Sequence, residues 1–147
     1  MTPTLWIFRG LPGAGKTTEA NKIGCLVVSP QDMWSTVGGQ YVYQDRLLGV
    51  PFQQRMADSN FKNLVDRVMS WDCDVAVAEV LPTLFDVECW AEIARDNGAR
   101  LIVQDLIITH EQSLARNTHS VPEADIRRMA EAFEPWIQET ADANPRL

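Results

Sequence analysis

At 147 residues and 46% hydrophobic, the chain has the size of one ordinary domain with one core and leaves no room for a second. Its formal net charge of −7 opposes non-specific attraction to nucleic acid over the surface as a whole, so a polyanionic substrate would need a local basic groove, and the balance favours a small or end-on substrate over tracking along a duplex. The first residues carry no basic region of a secretion signal, and no apolar stretch approaches the ~20 residues that span a bilayer, so a soluble, cytoplasmic protein without membrane contact is expected.

Thr4 to Arg9 is a short apolar run that reads as a first strand, buried on both faces as parallel strands are. A glycine-rich turn follows, then a brief helix from about Thr17 that Gly24 ends. Cys25 to Ser29 reads as a second strand, closed by Pro30. Strand, helix and strand in this span make a βαβ unit with a right-handed crossover. Between residues 31 and 51 the pattern loosens around Gly38-Gly39 and Gln40-Tyr41-Val42-Tyr43-Gln44, which predicts a loop or small helical excursion over the active site.

From Phe52 to Ser70 the residues Phe52, Met56, Leu64, Val65, Val68 and Met69 recur mainly at helical spacing, predicting a long amphipathic helix whose apolar stripe is core. Asp74 to Glu79 is a third strand, almost wholly apolar and ending on an acid. Pro82-Thr83 and Asp86 introduce a helix carrying Val87, Trp90, Ala91 and Ile93 that stops near Asn97-Gly98. Arg100 to Ile108 supplies a fourth strand. Thr109 and Gln112 form a capping-box pattern opening a helix with Leu114 and Arg116, and Val121-Pro122-Glu123 starts the last helix, which Pro135 ends or kinks before a fraying terminus at Asn144-Pro145-Arg146-Leu147. Cys25, Cys73 and Cys89 lack Cys-x-x-Cys spacing and suit buried thiols in a reducing compartment, with no metal. Strands alternating with helices predict an α/β fold of three α/β/α layers around a parallel sheet of about four strands.

The turn after the first strand reads Gly10-Leu11-Pro12-Gly13-Ala14-Gly15-Lys16-Thr17-Thr18, which satisfies Gly-x-x-x-x-Gly-Lys-Thr between a strand and a helix. This is the pattern of a P-loop. Its glycines let consecutive backbone N–H groups wrap a phosphate, and the helix N-terminus directs positive potential at the anion. Lys16 would reach the outer phosphates, and the Thr17 hydroxyl would ligate Mg²⁺. A single nucleotide-binding domain over 1–147 follows, with ATP and Mg²⁺ as its cofactors.

Ligands in such sheets bind beyond the carboxyl ends of the strands, so the phosphate loop, Gln31 and Asp32, Glu79 and the chain leading to Arg116 should share one crevice. Phosphoryl transfer needs positioning, positive charge on the transferred group and a carboxylate for the nucleophile's proton. Lys16 covers the donor side, Asp32 is the candidate base, and Glu79 ends its strand in the manner of a Walker B acid holding Mg²⁺. Arg116, in a lid over about residues 110–122, could neutralise transition-state charge. The alternatives, less favoured for Asp32 and Glu79, are a turn carboxylate for Asp32, the strand's return to solvent for Glu79 and a helix C-terminal cation for Arg116. Arg127 and Arg128 read as a solvated face, and His119 as a surface loop residue.

The stretch from Gly10 to Thr18, combined with Tyr41-Val42-Tyr43, the apolar strand to Glu79, and Leu114-Ala115-Arg116-Asn117-Thr118 followed by Val121 to Met129, resembles the kinase domain of phage polynucleotide 5′-kinases. These lie within a wider group of small P-loop kinases that includes zeta-type toxins and antibiotic phosphotransferases. The resemblance spans roughly Leu5 to Met129 and implies transfer of the ATP γ-phosphate to a 5′-hydroxyl of DNA or RNA, with a nucleic-acid 5′ end as partner. The family carries an aspartate base after the second strand and an arginine three positions later; Gln31 and Trp34 stand there, with Asp32 one place along. The family's second lid arginine has no counterpart near His119 and Ser120, and Glu79 replaces a common aspartate. These departures keep open a kinase of a nucleoside, modified base or other small hydroxyl compound, and a nucleotide-binding regulatory module that has lost transfer.

Overall fold

The computed structural model describes residues 2–29, 52–117 and 121–137, of which 52–58 are described by their helix alone. The predicted excursion over 31–51, with Gln31, Asp32, Trp34 and Tyr41 to Tyr43, lies outside the described residues, as do Pro30, Thr118, His119, Ser120 and the chain beyond Ile137.

Four strands, β1 (Thr4–Arg9), β2 (Leu26–Val28), β3 (Val75–Ala78) and β4 (Arg100–Asp105), form one parallel sheet in the order β2-β3-β1-β4. Between and after them run α1 (Lys16–Asn21), α2 (Phe52–Met69), α3 (Leu84–Asp96), α4 (His110–Ala115) and α5 (Glu123–Ala132). The two central strands read as continuous apolar runs because both their faces are covered. On one face Leu5, Ile7, Val75, Val77, Leu101 and Val103 meet Val65 and Met69 of α2 and Val87, Trp90, Ala91 and Ala94 of α3. On the other, Phe8, Ala76 and Ala78 meet Ala20 of α1. These are the three layers of an α/β/α fold, and right-handed crossovers distribute the helices this way.

A third cluster lies beyond the strand ends, where Leu11 and Val80 pack against Val121, Ile126 and Met129, with Ile108 and Leu114 beside them. Helix α5 therefore closes over the carboxyl edge of the sheet, next to the phosphate loop.

Several boundaries differ from those expected of the sequence. The fourth strand stops at Asp105, not Ile108, because β1 pairs with it only as far as Arg9↔Asp105 and then turns into the phosphate loop. One further bond, from the Leu106 N–H to the Arg9 carbonyl (2.8 Å), closes the ladder, and Ile107 is left exposed. The second strand is shorter than Cys25 to Ser29, and Arg116 sits just past the end of α4. Within the α2 stripe Leu64 is exposed, whereas Val65 and Met69 are core. The thiols are not a buried set: Cys25 and Cys89 are half-buried and Cys73 is exposed, all three unbridged. No helix among the described residues is long and apolar enough to cross a membrane.

Candidate active site

The phosphate loop leaves β1 at Gly10, closes a turn through the Ala14 N–H on the Leu11 carbonyl (3.0 Å), and enters α1 at Lys16. Gly15 caps α1 in the left-handed conformation, with no side-chain cap on the first turn, an arrangement suited to an anion there. Lys16 is buried, and its ammonium donates to the Gly10 and Leu11 carbonyls at 3.0 Å each. Thr17 is half-buried in the first turn and Thr18 is exposed.

Helix α4 is built against the other side of the loop. Its N-terminus carries the expected capping box, with the Gln112 N–H on Thr109 Oγ1 (3.0 Å) and the Thr109 N–H on Gln112 Oε1 (2.9 Å). Ser113, fully buried, donates its hydroxyl to the Pro12 carbonyl at 2.7 Å. One turn on, the backbone of Arg116 lies against Gly13 so closely that a Cβ on Gly13 would fall 2.6 Å from the Arg116 Cβ. The Arg116 side chain is exposed at this junction. Asn117 follows, its side chain donating to the Val121 carbonyl (2.6 Å) and accepting the Val121 N–H (3.0 Å).

Glu79 follows β3, largely buried, with its N–H on the Phe8 carbonyl at 3.2 Å; it therefore stands beside the end of β1, two residues from Gly10. Thr17 and Glu79 offer a hydroxyl and one carboxylate, both hard oxygen donors, which suits Mg²⁺ shared with phosphate oxygens. The structure thus gathers the phosphate loop, Glu79 and the root of Arg116 at the carboxyl edge of the sheet, while the segment holding Gln31 and Asp32 is outside the described residues. Arg127 is exposed and pairs with Glu123, as a solvated face would, but Arg128 pairs with the buried carboxylate of Asp125.

Two residues of this region have roles that the sequence pattern does not disclose. Arg9, which reads as the exit of β1 to solvent, is completely buried: its guanidinium donates to the Leu81 and Pro82 carbonyls and to Asp105, under the ring of Phe133. The visible signal is an arginine and an aspartate closing two apolar strands, but only the strand order puts them opposite one another. His110 lines a cavity of about 300 Å³ beside Gly10 and Leu11, with Leu106, Ile107, Ala130 and Phe133 among its other walls. Its Nε2 is buried with no hydrogen-bond partner among the described residues.

With this geometry in view, the comparison with known proteins places the architecture. No protein-family model matches the chain. Among solved structures it is similar to a chain of the Pnkp1/Rnl/Hen1 RNA repair complex, with a TM-score of 0.73 at 16% identity over 97% of this chain and 46% of that one. It thus spans less than half the length of that relative. A gluconokinase from Sinorhizobium meliloti 1021 matches at 0.58 and 16% identity, over 98% of this chain and 85% of the other. A shikimate kinase from Acinetobacter baumannii in complex with shikimate matches at 0.51 and 15% identity, over 97% and 90%. The likeness defines the fold: a four-stranded, three-layer α/β/α P-loop kinase fold.

Proposed function

We propose that the chain is a phosphotransferase that moves the γ-phosphoryl group of ATP to a hydroxyl, and that the acceptor is the 5′-hydroxyl of a polynucleotide. The observation that carries this reading is the packing of α4 onto the phosphate loop, through Ser113 on Pro12 and Arg116 on Gly13, which brings a cation against the loop. Support for the acceptor comes from the resemblance to polynucleotide 5′-kinases and from the likeness to a chain of an RNA repair complex.

In this reading Lys16 releases its hold on the Gly10 and Leu11 carbonyls to meet the outer phosphates, and the backbone of the loop wraps them. Thr17 and Glu79 would hold Mg²⁺, which supplies charge neutralisation across the phosphate oxygens. Asp32 accepts the proton of the acceptor hydroxyl; the hydroxyl oxygen bonds to the γ-phosphorus as the bond from the γ-phosphorus to the β–γ bridging oxygen breaks, and ADP departs. Arg116 offsets the charge that develops on the transferred group.

Incubation with γ-labelled ATP and 5′-hydroxyl DNA and RNA oligonucleotides tests the acceptor, and label on neither removes it. A small-molecule acceptor is the second reading, favoured by the net charge of −7 and by the gluconokinase and shikimate kinase likenesses, which cover most of those chains. ADP release with small hydroxyl compounds but not with oligonucleotides would establish it. Nucleotide binding without turnover on any acceptor would leave a regulatory module. Asp32→Asn is expected to keep nucleotide affinity and lose transfer, read as a fall in kcat without a matching rise in KM for ATP.

A further inference from the structure

A buried guanidinium needs partners for its donors, and those of Arg9 come from two separate segments. Nε and Nη2 converge on the Leu81 carbonyl at 3.0 and 2.7 Å, Nη2 also reaches the Pro82 carbonyl at 3.2 Å, and Nη1 donates to Asp105 at 3.0 Å. The Phe133 ring lies 4.3 Å from the guanidinium carbon. The principal acceptor is itself unusual. Leu81 has a φ of 46°, a left-handed backbone for a bulky side chain, and such a conformation persists only where its surroundings over-determine it. Two N–H groups of Arg9 aimed at the Leu81 carbonyl act on that turn, beside the burial of the Leu81 side chain in the core and the Glu134 N–H on the Pro82 carbonyl.

Leu81 lies two residues beyond Glu79, and the Glu79 N–H is fixed to the Phe8 carbonyl. The chain leaving β3 is thus tied to consecutive residues of β1 at two points, at Glu79 through the backbone of Phe8 and at Leu81 through the side chain of Arg9. We infer that Arg9 is a positioning residue: by holding Leu81 in its left-handed turn it fixes the course of the chain out of β3, and with it the place of the Glu79 carboxylate beside the phosphate loop. The inference rests on the reading of Glu79 as the Mg²⁺ carboxylate. The planar fork matters here more than the charge, because a lysine ammonium can pair with Asp105 but cannot reach Leu81, Pro82 and Asp105 with donors in fixed directions.

The test is nucleotide-induced thermal stabilisation with ADP and with a non-hydrolysable ATP analogue, in chelator and across a Mg²⁺ titration. It compares the unaltered protein with Glu79→Gln, Arg9→Lys, Leu81→Val and Asp105→Asn. Arg9→Lys should raise the Mg²⁺ concentration for half-maximal effect about tenfold, in the direction of Glu79→Gln, and leave metal-free nucleotide affinity unchanged. Leu81→Val attacks the same turn without touching the arginine, since a β-branched residue resists positive φ, and should shift the titration the same way even if Arg9→Lys does not fold. Asp105→Asn keeps an acceptor for Nη1 and should titrate as the unaltered protein does. Unshifted Mg²⁺ titrations in both turn variants, or equal losses with and without metal, would reduce Arg9 to a structural role and overturn the inference. An unshifted Glu79→Gln would overturn the assignment of Glu79 and this inference with it. Failure of the unaltered protein to respond to either nucleotide would defeat the phosphate-loop reading itself.

Discussion

A Cβ on Gly13 would lie 2.6 Å from the Arg116 Cβ and 2.9 Å from its carbonyl oxygen, and the residue has a φ of 85°. The middle glycine of the phosphate loop is therefore required by the protein as well as by any phosphate, because Arg116 occupies the space a side chain would need. Gly13→Ala is expected to destabilise the fold by about 2–4 kcal/mol, combining a left-handed backbone with overpacking. A denaturant melt would show it, and an unchanged midpoint would mean that α4 can move away from the loop. The cysteines permit a second prediction at this scale. Burial, and secondarily the Asp74 carboxylate, push the Cys25 thiol above the ordinary thiol range. A thiol with a raised folded pKa contributes stability that is present below its unfolded pKa and is lost as pH rises through the folded one. Alkylation near neutral pH should mark the exposed Cys73 well before Cys25, and Cys25→Ala should flatten the alkaline decline in thermal midpoint. Equal labelling rates would refute both halves.

Short elements here depend on their ends. Helix α4 has only six residues, too few to be stable from propensity alone, and it is held by the Thr109 capping box and by Ser113 on the phosphate loop. Thr109→Ala should cost about 1 kcal/mol in a denaturant melt and Thr109→Ser almost nothing; a loss in both would assign the effect to the methyl group and not to the cap. Caps of this kind are local, so the pattern Thr109 to Gln112 is legible in the amino-acid order alone, as is the start of α3, where Thr83 and Asp86 exchange the same pair of bonds. Strand ends are not local. Leu106, Ile107 and Ile108 prolong the apolar run of β4 and invite a longer strand, but a ladder needs a neighbour, and β1 stops being one at Arg9. The same dependence hides Arg9: an arginine ending an apolar run reads as a return to water, and only strand order reveals Asp105, Leu81 and Phe133 around it. The apolar stripe of α2 is narrower at Leu64 than its spacing implies, because spacing defines the direction of an apolar face but not how far the sheet beneath it extends.

At the scale of the molecule, the charge and the site pull in different directions, and that conflict restricts how a polynucleotide could bind. Thirteen basic residues stand against twenty acidic ones, so the surface as a whole repels a long anionic chain. Among the described residues, the two cations of the carboxyl edge that the proposal uses, Lys16 and Arg116, belong to the donor phosphates and the lid, and Arg9 is consumed by its own internal bonds. A 5′ end would therefore be recognised through the reacting hydroxyl and the first phosphates, with little gain from the strand beyond them. For single strands the slope of log affinity against log salt is about −0.7 per neutralised phosphate, so a site of this kind should give a slope of about −1 to −2. The measurement is a salt series with 5′-hydroxyl oligonucleotides of increasing length, at saturating non-hydrolysable ATP analogue. Affinity should level off within a few nucleotides and the slope should stay shallow. A slope that steepens with length would require a basic track along the strand, with cations beyond Lys16 and Arg116, and would overturn end-on recognition.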